Sequence, residues 1–370
     1  MGIQNIQQDN VIEKHLNQRG SVFEHHVRTL SLRRIPSLGQ TEGWISFRSE
    51  QSNDRLTEDL ELGKVPLNTL ASQKENLLLK EAGRIDRDLA SRRIAILFSG
   101  GPASGGHNVI VGVFEALGAT ATLLGVKAGP KGLLAGDLFE ITQGDIDTIR
   151  NTGGFDFLGS DRTKIKTDEQ FNAVRTVVKN HQLDGIIVVG GDDSNTNAAF
   201  LADRLADLNC SVVGVPKTID GDLQLGDLLP ISFGFHTATR IYSEMVGNIL
   251  KDTPSSRKYW HFVKLMGRSA SHVTLEVALQ TRPHVSLISE EVAQKKQLLG
   301  DVIDSIADTV LARAEQGLFY GVVLVPEGLI EFIPDLVGLV RELDDEDDFV
   351  DILRLDERVR AFVMLRFVFV

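Results

Sequence analysis

Cysteine is almost absent from this chain: Cys210 stands alone in 370 residues. An intramolecular disulfide and a cysteine-built metal cluster are both excluded, and a reducing compartment, the cytoplasm, is the expected setting. Long apolar runs are also missing. None approaches the roughly 20 residues that a membrane-crossing helix needs, and the apolar end, Ala361–Val370, is too short to cross. The first twenty residues lack the apolar stretch of a secretory signal. Positive charge is in deficit, with 39 Lys and Arg against 51 Asp and Glu and a net charge of −12. A general basic surface for DNA or RNA is therefore not expected, because phosphate neutralisation needs clustered cations. An anion site would have to be built locally, against the overall field. Proline is scarce at 10 while glycine reaches 34, which favours tight loops at strand ends over a low-complexity linker.

What is present falls into four stretches. Residues 1–90 are polar with scattered helical periodicity, as at Asn68–Glu81, and read as a helical N-terminal extension. From Arg92 the texture changes. Short Val/Ile-rich runs recur at Ile94–Phe98, Ala121–Val126, Gly185–Val189, Ser211–Val215, Phe262–Met266, His284–Ile288 and Gly321–Val325. Most are separated by helix-period segments such as His107–Leu117, Glu169–Lys179, Thr196–Leu208, Phe235–Leu250, Ala270–Leu279 and Val302–Glu315. Unbroken apolar strands alternating with amphipathic helices predict α/β architecture: parallel sheets with helices on both faces. We divide this stretch into an α/β domain over 91–235 and a second, partial one over 236–340. The segment 341–370 begins with an acidic run, Arg341–Asp348, and ends in an atypical apolar tail. In such sheets, ligands bind beyond the carboxyl ends of the strands.

The unusual residues sit at those strand ends. The first strand runs into Ser99-Gly100-Gly101-Pro102-Ala103-Ser104-Gly105-Gly106 ahead of a helix, a loop whose backbone N–H groups can approach an anion. It lacks the Gly-Lys-Ser/Thr of a Walker A loop. Gly190-Gly191-Asp192-Asp193-Ser194 is a second glycine turn. Its carboxylates suit Mg²⁺ on a phosphate-bearing ligand, or equally serve as acidic residues at a helix start. Val215-Pro216-Lys217-Thr218-Ile219-Asp220-Gly221-Asp222 crowds a lysine and two carboxylates into one loop. That combination can bind phosphate, accept a proton or hold metal, or else form a surface ion pair. Arg162 and Lys164, in Gly159–Lys164, are candidate anion ligands. Met266-Gly267-Arg268 and Pro326-Glu327-Gly328 follow two later strands. Single histidines, among them His107, His236, His261 and His272, show no metal-ligand spacing and read as ordinary polar positions. A G-x-S-x-G nucleophile elbow is missing.

In this order the motifs resemble the phosphofructokinase family, in particular its long pyrophosphate-dependent branch, over about residues 92–340. The resemblance implies the family fold and a reversible, Mg²⁺-dependent phosphoryl transfer from pyrophosphate to fructose 6-phosphate, a glycolytic step. It implies that Gly101 and the Gly-Gly-Asp loop hold the phosphoryl donor, with Asp192 at the metal position. Asp193 and Lys217 would select pyrophosphate, since a carboxylate at 193 occupies and repels the α-phosphate of a nucleotide. Asp220 falls on the general base, with Asp222 beside it. Thr218 falls on a sugar-contact position, and Arg162 where the transferring phosphoryl group is stabilised. Met266, Gly267, Arg268 and Glu327 fall on the sugar-phosphate site. A homo-oligomer, dimer or higher, is implied. Asp161 departs from the small residue usual in the family and puts a carboxylate next to Arg162. Family chains also continue beyond this length with a further basic cluster for the 6-phosphate, so a C-terminal truncation or alteration from about residue 345 is expected. Two alternatives remain open: an inactive or regulatory chain of the family, and an ATP-dependent phosphofructokinase.

Overall fold

A computed structural model describes residues 26–30, 44–55, 75–85, 91–118, 121–223 and 230–338. In the N-terminal stretch, β1 (Trp44–Arg55) and β2 (Glu75–Ile85) pair antiparallel, from Trp44 opposite Ile85 to Arg55 opposite Glu75. This corrects the expected helical extension: the helix-like segment 68–81 is strand from Glu75 onward, and 68–74 lie outside the described residues. The physical reason is that a distant partner strand satisfies the backbone groups, overriding a weak local preference. Gly83 and the unbroken Leu77–Leu79 run also fit a helical stripe poorly.

The elements then follow as β3 (Arg93–Ser99), α1 (Gly106–Leu117), β4 (Thr122–Val126), α2 (Gly129–Ala135), β5 (Leu138–Glu140), α3 (Gln143–Ile149), β6 (Ser160–Asp161), α4 (Asp168–His181), β7 (Gly185–Gly190), α5 (Asp192–Leu205) and β8 (Ser211–Pro216). The sheet order is β5-β4-β3-β7-β8, with β6 pairing the end of β3. All pairs are parallel except β4–β5. That short antiparallel edge, absent from the sequence reading, folds straight back on β4 after α2. The central strands β3 and β7 are nearly continuous in buried residues, as expected where both sheet faces are covered. Ala95, Leu97, Ile186 and Val188 meet Phe171, Val174 and Val178 of α4 and Leu201 and Leu205 of α5 in one core. Helix α4 starts where its sequence says it should. Thr167 accepts from Gln170 N–H while Gln170 returns a bond to the Thr167 N–H, a capping box.

The second series is α6 (Phe235–Ser256), β9 (Trp260–Leu265), α7 (His272–Thr281), β10 (Val285–Ser286), α8 (Ser289–Gln294), α9 (Leu299–Ala314) and β11 (Gly321–Pro326). Its parallel sheet has the order β10-β11-β9. Val322 and Leu324 pack with Leu265, Val273, Val277, Phe235 and Val246. The chain divides into two compact units. Residues up to Thr218 with Ser232–Gly234 form the first, and Ile219–Ile231 with the chain from Phe235 form the second. Among the described residues no helix is long and apolar enough to cross a membrane. The acidic run and tail at 341–370 lie outside the described residues.

The glycine-rich loop of the first unit is built without spare room. A β-carbon on Gly106 would meet the Phe155 ring at 2.3 Å and the Gly154 carbonyl oxygen at 2.9 Å. Gly106→Ala is expected to cost about 1–3 kcal/mol through overpacking. Gly144→Ala, at an exposed site in α3 whose nearest contact would be an ordinary 3.7 Å, should instead stabilise by up to about 1 kcal/mol. Urea unfolding midpoints that move in opposite directions for the two variants check this.

Candidate functional site

The strand order decides which loops meet. Strands β3, β7 and β8 are neighbours, and β6 joins the carboxyl end of β3. Their C-terminal ends bring Gly100–Gly101, Arg162, Gly190–Asp193 and Lys217 to one edge of the first unit's sheet.

Lys217 is the centre of this group. It is 7% exposed, and its Nζ donates to the Gly101 carbonyl oxygen at 2.7 Å, reaching from β8 across β7 to the end of β3. A side chain on Gly100 would meet the same ammonium at 3.8 Å, and one on Gly101 would meet Arg162 Nη2 at 3.7 Å. The glycines thus leave room next to two cations. Gly100 also needs its φ of +86°, which residues with a β-carbon avoid. The turns are tied to each other. Gly100 N–H donates to Asp161 O (3.0 Å), Ser160 Oγ to Gly100 O (2.7 Å), Lys217 N–H to Gly190 O (2.8 Å) and Ser194 Oγ to Ser99 Oγ (2.8 Å). Ser232, 1% exposed, fixes the Thr218 backbone, donating to its carbonyl at 2.6 Å and accepting from its N–H at 3.2 Å.

Asp192 and Asp193 open α5 and are both exposed. Asp193 pairs with Lys164 at 2.8 Å, so one of the two sequence-derived anion ligands of the 159–164 loop holds the Asp193 carboxylate. Asp161, the departure next to Arg162, turns its carboxylate into its own loop and accepts from Thr163 N–H at 2.7 Å. Burial pushes this carboxyl up, but hydrogen bonds from Thr163, Arg162 and Lys131 outweigh it and hold the group below the usual carboxylate range. The carboxylate is thereby engaged by the loop's own donors.

His107, read from sequence as ordinary, is a buried bolt under the glycine-rich loop. Its Nδ1 lies 2.7 Å from Thr152 Oγ1, and its backbone N–H donates to Gly154 O at 3.1 Å. Asn108 and Asn151 add a second clamp, with Asn151 N–H donating to Asn108 Oδ1 at 2.8 Å.

The second unit holds the remaining predicted residues: Asp220, Asp222, Met266, Gly267, Arg268 and Glu327. The loops after β9 and β11, adjacent strands, touch through Gly328 N–H donating to Gly267 O at 3.0 Å. A β-carbon on Gly328 would fall 1.8 Å from Arg268 O, so only glycine allows the contact. Met266 and Arg268 are exposed and Glu327 is half-buried. Tyr242, on α6, was not legible as a site residue. Burial raises its phenol pKa, and the negative charges of Asp220 and Glu327 raise it further, so both carboxylates lie within electrostatic reach of its hydroxyl. A cavity of about 1010 Å³ in this unit is lined by Arg240, Lys251, Arg282 and Arg313 among others, and includes none of the predicted site residues.

Comparison with known proteins decides the family. The chain matches the phosphofructokinase family over residues 93–350. The chain belongs to the phosphofructokinase family. It is 54% identical over 258 residues to a pyrophosphate–fructose 6-phosphate 1-phosphotransferase of Treponema pallidum, covering 68% of this chain and 45% of that one. It is 47% identical over 316 residues to the β 2 subunit of the Arabidopsis thaliana enzyme of that name, covering 84% and 55%. The chain therefore spans about half the length of the curated relatives it matches. A crystal structure of a pyrophosphate-dependent phosphofructokinase from Nitrosospira multiformis superimposes with a TM-score of 0.54 at 22% identity, over 68% of this chain and 66% of that one, and shows the shared fold.

Two outcomes are expected from this phosphofructokinase-family chain. On the reading of this edge as an anion site, proposed below, Lys217→Met should weaken binding of inorganic pyrophosphate at least about tenfold in calorimetry, since a charge-assisted bond contributes about 1.5–3 kcal/mol. The second concerns pH. Burial lowers the His107 pKa from 6.5, with the Asp156 carboxylate opposing. Below pH 6.5 the unfolded chain therefore binds a proton that the folded ring refuses, and stability falls as pH drops. His107→Gln should remove that part of the acid-side decline in urea midpoints.

Proposed function

We propose that this chain catalyses reversible, Mg²⁺-dependent transfer of a phosphoryl group from pyrophosphate to the 1-hydroxyl of fructose 6-phosphate. The observation that carries the reading is the buried Lys217 ammonium at Gly100–Gly101 next to Arg162, flanked by the anchored Asp193 carboxylate. Two cations and open backbone suit a short polyanion. A fixed negative oxygen at the start of α5 suits a donor that ends there and penalises one that continues into a nucleotide. The names of the relatives support the same reaction class.

In this reading the 1-hydroxyl oxygen attacks one phosphorus of pyrophosphate while Asp220 takes its proton. The P–O–P bridge breaks, and inorganic phosphate leaves with the bridging electron pair. Arg162 and Lys217 stabilise the charge on the transferring and departing groups. Phosphoryl transfer depends chiefly on such positioning and charge stabilisation. Thr218, Met266, Gly267, Arg268 and Glu327 orient the sugar phosphate. In reverse, Asp220 returns the proton.

Asp192 presents an exposed carboxylate at the helix start, a hard oxygen donor of the kind Mg²⁺ uses together with phosphate oxygens. Bound there, the ion would neutralise donor charge. Among the described residues no cluster of three or more His, Cys, Asp or Glu forms a metal cage. The proposal extends to assembly of two or more copies in the cytoplasm, in line with relatives named as subunits.

Asp220→Ala should lower turnover by about 10²–10⁴-fold, the contribution of a positioned general base, with calorimetric pyrophosphate binding nearly unchanged. Turnover preserved at saturation with binding lost would make Asp220 a ligand instead. Asp193→Gly combined with Lys217→Gly should shift donor preference toward ATP. No gain of ATP use would refute the selection argument.

A further inference from the structure

Within the second unit, one histidine ties the loop carrying Asp220 to the loop carrying Arg268. His272 opens α7, four residues beyond Arg268. Its Nδ1 lies 2.9 Å from the carbonyl oxygen of Gly221, the residue between Asp220 and Asp222. A carbonyl oxygen only accepts, so Nδ1 carries a proton in this bond.

The Gly221 peptide is held from other directions as well. Its φ is +76°, and a β-carbon there would meet Ile231 and Phe235 at 3.0 Å. The start of α7 is itself anchored. Ser271 N–H donates to Glu290 Oε1 at 2.8 Å, and Ser271 Oγ accepts from Ser289 N–H at 2.9 Å. Ser271 is 2% exposed. A rigid support therefore stands behind the imidazole, and the imidazole stands behind the Asp220 loop.

We propose that His272 is a positioning residue: it fixes the Gly221 peptide so that the Asp220 carboxylate keeps its reactive orientation, and it couples that orientation to the Met-Gly-Arg loop. The proposal rests on the reading of Asp220 as the base. His272 needs no contact with substrate for this role. Its value lies in alignment, where displacement of a reacting group by about 1 Å can cost on the order of 10²-fold.

The test uses His272→Ala and His272→Asn in the full 370-residue chain, with Asp220→Ala as control. Asparagine presents an N–H near the position of Nδ1, and alanine does not. His272→Ala should lower kcat for pyrophosphate-driven turnover on the order of 10²-fold with KM for pyrophosphate within about twofold, a loss confined to the reacting state. His272→Asn should recover most of it. Unchanged kcat in the alanine variant, or equal loss in both variants, overturns the proposal. A second readout needs no activity: imidazole ¹⁵N NMR of the unaltered chain should show Nδ1–H for His272, and an Nε2–H tautomer overturns it. If the alanine variant does not fold, the asparagine variant and this spectrum decide. Normal turnover in Asp220→Ala sinks the base reading, and the role of His272 with it. Normal turnover in His272→Ala alongside a dead Asp220→Ala sinks the positioning role alone.

Discussion

The anion site proposed in the first unit depends on one buried ammonium group. Removing a lysine charge from water costs several kcal/mol unless it is compensated, and the Gly101 carbonyl oxygen at 2.7 Å is one group that compensates it. In the proposed reading a polyanion adds to that compensation. The position is also structural, because the Lys217 side chain reaches from the edge strand β8 to the central strand β3, while its N–H bonds Gly190 of the strand between them. The same residue thus gathers three strand-end loops and supplies their charge. The chain's net charge of −12 makes such local construction necessary for the proposed anionic ligand, which the overall field repels.

The rest of the proposed chemistry is set by backbone more than by side chains. Gly100, Gly267 and Gly221 adopt positive φ, and Gly328 leaves no space for a β-carbon against Arg268 O. Each lies in or next to a loop that presents a residue of the proposed site. Side chains then lock those loops: Ser194 to Ser99, Ser232 to Thr218, His107 to Thr152, and His272 to Gly221. Such locking holds groups in place before substrate arrives, which electrostatic stabilisation of a transition state requires.

Much of this was legible in the sequence, for physical reasons. Ile94–Phe98 and Gly185–Val189 are unbroken apolar runs because both faces of β3 and β7 are covered, and periodicity detects that directly. Strand-end glycines next to acids and lysines stood out because no turn needs that combination. What escaped depends on long-range partners. β2 is a strand because β1 pairs with it, and β5 is antiparallel because the chain folds straight back on β4. The bond between Lys164 and Asp193, 29 positions apart, turns a candidate ligand into an anchor. Tyr242 sits in a helix whose sequence says only that it is amphipathic, and a single histidine carries no spacing to betray a role like that of His272. The capping box of Thr167 and Gln170 joins residues three apart, while the hydrogen bond of His272 reaches a glycine carbonyl 51 residues away.

The most direct test of the account is a coupled assay of fructose 1,6-bisphosphate formation by the unaltered chain, with fructose 6-phosphate and Mg²⁺, offering pyrophosphate and ATP separately. Product with pyrophosphate and none with ATP is the predicted result. Product with ATP alone, or with neither donor from a folded sample, contradicts it.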